Sequence, residues 1–352
     1  MDEVTGSWLD PSRLRWGLSG SLVVGAMLAV SADRPPVTRS QDSGTLAMSL
    51  ALPESTGSES FAYQPEPVAD SLPVNRVALP VHQLGIPFGL YHLPETEFAP
   101  PFTSALRNGS DPAVVIPILE AARKTGVKVY LNMFVSRRQI QNPDGSFSLE
   151  RWKQRIDRFR DLGLEPYILD GTLAGNYLMD EPDSRGKWNG QSVPFADIEA
   201  AAAYSKQLWP GLTTMIRADP LFLQKAPFRW VSLDAAWSQY TTRKGNVEEY
   251  AKRHAAVAKE LGLGLVMGLN VLDGGDGSSG LEGTKVKYSA MSAPEVMRYG
   301  SVLLRESGAC ALLLWKYDRN DRSYFLRPEI RAALETLGLL AAMHSASSCK
   351  VR

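Results

Sequence analysis

From residue 83 onward, short apolar runs alternate with longer amphipathic stretches, and this alternation restricts the fold more than any other feature of the chain. Runs over 86–91, 127–134, 173–179, 212–217, 230–236, 263–271 and 310–315 have strand length and few charges, as expected of strands covered on both faces. Helical spacing separates them, over 149–162, 195–208, 247–261, 293–307 and 328–343. A further helix, which Ser110 or Asp111 could cap, runs through Val114, Ile118 and Ala121 to Gly126. Strands joined through helices run parallel, because a parallel pair needs a long crossover. Seven such strands in about 260 residues suit a closed barrel better than an open doubly wound sheet, which would carry an early glycine-rich loop. The expected fold class is α/β, a TIM-like (β/α)8 barrel over 83–343 with a tail at 344–352. The eighth strand is expected at 76–79 or 167–169, with a weak crossover between 220 and 229.

The chain has 352 residues, more than such a barrel needs, and the excess lies at the front. Arg13 and Arg15 precede seventeen uncharged residues, 16–32, which end at Asp33, Arg34 and two prolines. At about 1.5 Å per residue this run spans roughly 25 Å, enough for a short membrane helix or for the apolar part of a secretory signal. Val30-Ser31-Ala32 offers a signal peptidase small residues, whereas Gly17, Ser21, Gly25 and Ala29 form one helical stripe on which another membrane helix could pack. Either reading sends the remainder out of the cytoplasm, with Arg13 and Arg15 left inside. Seven prolines and eight serines over 31–80 make 35–82 an extended linker. The expectation is thus a cytoplasmic stub and single membrane helix over 1–34, then linker, then barrel. Lys plus Arg and Asp plus Glu both number 38, so no net field draws nucleic acid, and none is expected as a partner.

Trp8-Leu9-Asp10-Pro11-Ser12-Arg13, followed directly by the apolar run, resembles the start of the α polypeptide of purple-bacterial light-harvesting antennae. In that family Trp, Asp-Pro and Arg lie at the membrane edge, which would assign Trp8, Asp10, Pro11 and Arg13 to it. The family's pigment-ligating histidine has no counterpart over 27–32; the four histidines are His82, His92, His254 and His344. The resemblance implies a bacterial inner-membrane protein with its barrel in the periplasm. Its partners would be membrane protein subunits, met through the helix and linker. The barrel would be a structural, non-catalytic subunit of a photosynthetic reaction centre–light-harvesting complex.

A parallel barrel places its chemistry where strands end. The polar residues just beyond the runs are His92 with Glu95, Asn132 with Arg137, Asp180, Glu181 and Asp183, Arg217 with Asp219, Asp234, Asn270 with Asp273, and Lys316 with Asp318. Tyr177, Trp188, Trp237 and Trp315 lie among them, and with Arg217 they form a candidate sugar-binding set, since aromatic rings stack on pyranose faces. Leu178-Met179-Asp180-Glu181-Pro182 resembles the strand-end glutamate of glycoside hydrolase barrels, a likeness that extends over about 86–318. It implies Glu181 as proton donor and a second acid later in the chain, Asp273 or Asp318. The sequence departs from that family's Asn-Glu pair in having Asp180 before Glu181. Strand-end acids also cap helices or pair with Arg185, Arg217 or Lys316.

The remaining motifs carry less. Residues 275–280 fit GxGxxG but precede no apolar helix, so they read as a flexible loop in which Asp273 and Asp276 could hold calcium. No cofactor or resident metal is expected. Cys310 and Cys349 are far apart in sequence, and Cys310 reads as core packing. Two functions follow: the structural membrane subunit, and alternatively an exported glycoside hydrolase, with carbohydrate a partner only in the second.

Overall fold

The computed structural model describes residues 85–317, 322–345 and 347–350. Eight parallel strands close into a barrel in strictly sequential order: β1 (Phe88–Tyr91), β2 (Ser104–Asn108), β3 (Lys128–Asn132), β4 (Leu173–Asp180), β5 (Thr213–Arg217), β6 (Ala235–Tyr240), β7 (Gly264–Leu269) and β8 (Ala311–Leu314). The helices are α1 (Pro112–Thr125), α2 (Leu149–Asp157), α3 (Glu165–Leu169), α4 (Phe195–Leu208), α5 (Pro220–Leu223), α6 (Val247–Leu261), α7 (Ala293–Ser307), α8 (Arg322–Phe325) and α9 (Pro328–Met343). The expected membrane helix, the stripe Gly17, Ser21, Gly25 and Ala29, the edge residues Trp8, Asp10, Pro11 and Arg13, and the whole linker lie outside the described residues. Among the described residues, no helix is long and apolar enough to cross a membrane.

The eighth strand is β2, not 167–169, which falls in α3; 76–79 lie outside the described residues. Ser-Ala-Leu-Arg-Asn has too few apolar residues to stand out as a run, and only the 3-10 turn Glu95–Glu97 separates β1 from β2. With no crossover helix, the alternation that reveals the other strands is missing there. β6 also begins later than the apolar run 230–236 suggests, because Trp230 and Leu233 fill the core from the loop before it. Asp234 therefore precedes its strand. It bonds the Lys206 ammonium and the Thr214 backbone N–H at the end of the barrel where strands begin.

All residues of β1, β5, β7 and β8 are buried, as a barrel sheathed by helices requires. Gly89 is dictated by the β1–β2 contact, since a Cβ there would stand 1.8 Å from the Ser104 carbonyl oxygen. A Cβ on Gly268 would meet the Trp237 indole nitrogen at 2.5 Å, so this glycine leaves the indole room to donate to the Leu313 carbonyl at 3.2 Å. Asp111, of the two expected caps, accepts from the Ala113 N–H at the start of α1. Arg155 of α2 is buried and donates to the carbonyls of Gly109, Ser110 and Met133, fixing the loops that leave β2 and β3.

Cys310 is not mere core packing. It forms a disulfide with Cys349, their Cα atoms 5.1 Å apart, which fastens the tail to the start of β8. The separation of 39 residues hid the pair in sequence, because α7 and α9 pack together and return the chain to the same strand edge.

Candidate active site

At the ends of β4 and β5, one acid and one base organise the barrel mouth. Asp180 accepts from Arg217 Nε at 2.5 Å and from the Tyr177 hydroxyl at 2.7 Å, with Lys187 Nζ at 3.4 Å from its other oxygen. Burial raises the Asp180 carboxyl, but Arg217 and Lys187 outweigh it and bring the pKa down to about 2. The guanidinium of Arg217 lies 4.5 Å from the Trp315 ring centroid, and its Nη1 donates to Gln239 Oε1 at 3.0 Å. The register of β4 with β5 shifts between Tyr177 and Met179, just before Asp180.

Glu181 follows with a left-handed backbone, φ +49°, which is uncommon for a side chain of this kind. Its carboxylate meets Lys187 Nζ on one oxygen and Arg217 Nη2 at 3.0 Å on the other. The Trp188 indole donates to the Glu181 carbonyl at 2.9 Å, locking the turn. His92 and Val135, at the ends of β1 and β3, have φ of +64° and +62°. Such strain is retained where surrounding contacts over-determine it, and it clusters at functional sites.

Asp180, Glu181, Lys187, Arg217, Gln239 and Trp315 border a cavity of about 770 Å³ over the strand ends. Its lining includes Trp237, Trp315, Asn270 and Tyr288, the acids Asp180, Glu181, Asp183, Asp219 and Asp273, and the bases Lys187, Arg217, Arg243, Lys244, Lys285 and Lys316. Asp273 is buried and accepts from the Thr284 hydroxyl at 2.6 Å and the Lys285 backbone N–H at 3.1 Å. Burial raises Asp219, but His254, whose Nε2 is 2.9 Å away, and the Leu221 N–H bring it below the usual carboxylate range. Asp183 goes the other way. Although it stands at the exposed rim, the protein around it withdraws solvent and raises its carboxyl, and the charge of Asp219 adds to this.

The structure brings Glu181, Asp273, Arg217, Trp237 and Trp315 to one cavity, while Asp318 lies outside the described residues. Tyr177 and Trp188 are not on that surface. Tyr177 is 1% exposed beneath Asp180, and Trp188 is 1% exposed with its edge against Phe147, so both support the site from below. The loop over 275–280 is tied down by antiparallel bridges from Gly275 and Glu282 to Ser289, and Asp276 caps the Ser278 N–H. No cluster of three potential metal ligands occurs among the described residues, so the calcium reading is dropped. Sequence reasoning missed Lys187, Gln239, Arg243 and Lys244. The last three become strand-end residues once β6 is extended to Tyr240; Lys187 reaches the site only through the 3-10 turn Arg185–Lys187.

No protein-family model and no curated protein matches the chain. Solved structures similar to it include an intracellular xylanase from Thermoanaerobacterium saccharolyticum, at 16% identity and TM-score 0.45, covering 66% of this chain and 86% of the other. A cellulase in an inhibitor complex is similar at 12% identity and TM-score 0.47, covering 72% and 92%. So is an endocellulase from Pyrococcus horikoshii, at 12% identity and TM-score 0.45, covering 74% and 93%. These barrels are glycoside hydrolases, and identities this low transfer no residue role. The expected non-catalytic subunit of a photosynthetic assembly is corrected on this point: its antenna likeness finds no match, and the similar barrels are enzymes.

Proposed function

We propose that the barrel is an exported glycoside hydrolase. The observation that carries this reading is Glu181, turned by its left-handed backbone from the end of β4 into a cleft that also holds Asp273 and the Trp315 ring, with the fully buried Trp237 ring packed 6.1 Å from the latter. A sugar lying against Trp315 would present its glycosidic oxygen to Glu181, whose proton goes to that oxygen as the bond to the anomeric carbon breaks. Delivery requires the substrate to displace Lys187 and Arg217 from the carboxylate, which then takes up a proton from solvent. A water that attacks the anomeric carbon as the leaving group departs completes the hydrolysis. Asp273, three strands further round the barrel, would be the second carboxylate, facing the positive charge that develops on the sugar. Arg217 holds Asp180 and keeps the β4 end in place. The Cys310–Cys349 disulfide supports export, because such bonds persist mainly in oxidising compartments.

One observation favours a second assignment of the donor. Asp183, at the rim, has its carboxyl raised on balance by loss of solvent and by the charge of Asp219, whose own carboxyl is lowered, and a raised carboxyl beside a lowered one is the usual pattern of an acid–base pair. The test is hydrolysis of a panel of aryl glycosides and oligosaccharides by the full chain and by Glu181→Gln, Asp183→Asn and Asp273→Asn. Loss of rate by a factor of about 100 or more in Glu181→Gln is expected. The same loss confined to Asp183→Asn would transfer the role to Asp183, and an inert wild-type protein across the panel would overturn the proposal.

A further inference from the structure

The acids and bases of the mouth are not equally committed. Asp180 and Glu181 are held by Arg217 and Lys187, Asp219 is held by His254 and the first turn of α5, and Asp273 is held by Thr284 and the Lys285 N–H. On the β6–β7 side the cations are left over. Among the described residues Arg243 has no carboxylate partner. Its Nη1 donates to the Asp273 carbonyl at 2.9 Å and its guanidinium lies 4.1 Å from the Tyr288 ring centroid, so it is fixed in place while most of its donors remain unused. Lys285 sends its ammonium to the same ring, 5.7 Å from the centroid, and has no carboxylate partner among the described residues. Lys244 is the least free of the three: Asp219 stands 4.0 Å away and Asp183 adds its charge, although burial still holds the ammonium below the ordinary value. All three line the one cavity.

We infer that this side of the cleft is a subsite for an anionic substituent, carboxylate or sulfate, on a glycan chain, bound by Arg243, Lys244 and Lys285 around Tyr288. The choice of a sugar as carrier rests on the glycoside hydrolase reading; the preference for negative charge does not. A planar guanidinium already seated on an aromatic ring loses little freedom when it takes an anion, and Tyr288 offers the sugar a face beside it. A neutral glycan would leave Arg243 and Lys285 with no anion to pair with.

Binding separates the two readings, because it needs no turnover. Titration of Glu181→Gln by calorimetry at low salt uses three ligands of equal length: an oligogalacturonate, a sulfated galactan oligosaccharide and a neutral cello-oligosaccharide. At least one acidic ligand is expected to bind ten-fold or more tightly than the neutral one, and which acid binds names the substituent. Adding Arg243→Gln and Lys285→Gln, singly and together, should abolish that preference and leave neutral binding unchanged. Thermal melting would confirm that these loop variants fold, and Arg243→Lys should restore part of the effect. Equal or tighter binding of the neutral ligand would overturn the inference, as would equal binding of polyglutamate, which carries the charge without the sugar. Acidic-glycan binding by a wild-type protein that hydrolyses none of the three would leave the subsite standing and remove the hydrolase reading. Hydrolysis without charge preference would do the reverse.

Discussion

Asp180 is pulled in two directions, upward by burial and downward by the Arg217 guanidinium, and the balance sets how the protein responds to acid. Its pKa is about 2 in the fold against an ordinary 3.8, so between those values the unfolded chain holds a proton that the folded one does not. Stability therefore rises with pH across that window. The contribution, about 2 kcal/mol, is complete above about pH 5, roughly half gone at pH 3, and lost as pH falls through the folded value. Asp180→Asn should destabilise the barrel by about 2 kcal/mol at neutral pH, since it removes the charged acceptor of Arg217 Nε and leaves only Glu181 to answer the guanidinium. Urea unfolding should show a narrower gap from wild type at pH 3 than at pH 7, and an equal gap at both would contradict this account. That Asp180 and Arg217 meet was legible in sequence, because both end neighbouring strands. The grip of Lys187 on Glu181 was not, because a turn with no periodic signature supplies it.

Strands and helices differed in how plainly the sequence announced them. α6, α7 and α9 begin and end where their periodicity and caps place them, because Asn246 and Ser292 cap the first two and Gly262 and Gly308 close them in left-handed conformation. β2 went unseen because a strand of five residues with two apolar side chains leaves almost no trace. α7 has a further duty. Ser292 accepts from the Glu295 N–H, and Glu295 returns bonds to the Ser292 N–H at 2.7 Å and the Asp276 N–H at 2.9 Å, so one buried carboxylate holds both the helix and the loop that carries Lys285. Ser292→Ala should cost about 1 kcal/mol. Glu295→Ala should cost about 2 to 3 kcal/mol, because two backbone donors lose a charged acceptor. It should also speed proteolysis within 276–290, whereas Ser292→Ala should not; equal cleavage in both variants would separate the loop from Glu295.

The barrel as a whole is closed twice, by the β1–β8 pairing and by the disulfide that brings Cys349 back to Cys310. A covalent loop of this length restricts the unfolded chain by about 4 kcal/mol on the chain-entropy estimate. Cys349→Ser, or the wild type under reductant, should lose much of that, read as a lower urea midpoint with a somewhat steeper slope, because the uncrosslinked chain unfolds to a more open state; an unmoved midpoint would show that the tail adds nothing. Periodicity and length were enough to establish an α/β barrel, because the spacing of apolar side chains reports local geometry and the count of units limits how a parallel sheet can close. The strand-end rule also placed Glu181, Asp273 and Arg217 at the mouth before any coordinates. Folding in three dimensions was needed to find the β2 strand, the disulfide, the burial of Tyr177 and Trp188 beneath the site, and the uncommitted cations of the β6–β7 side. Each of these depends on which residues distant in sequence come within a few ångströms of one another, and a periodic pattern carries no record of that.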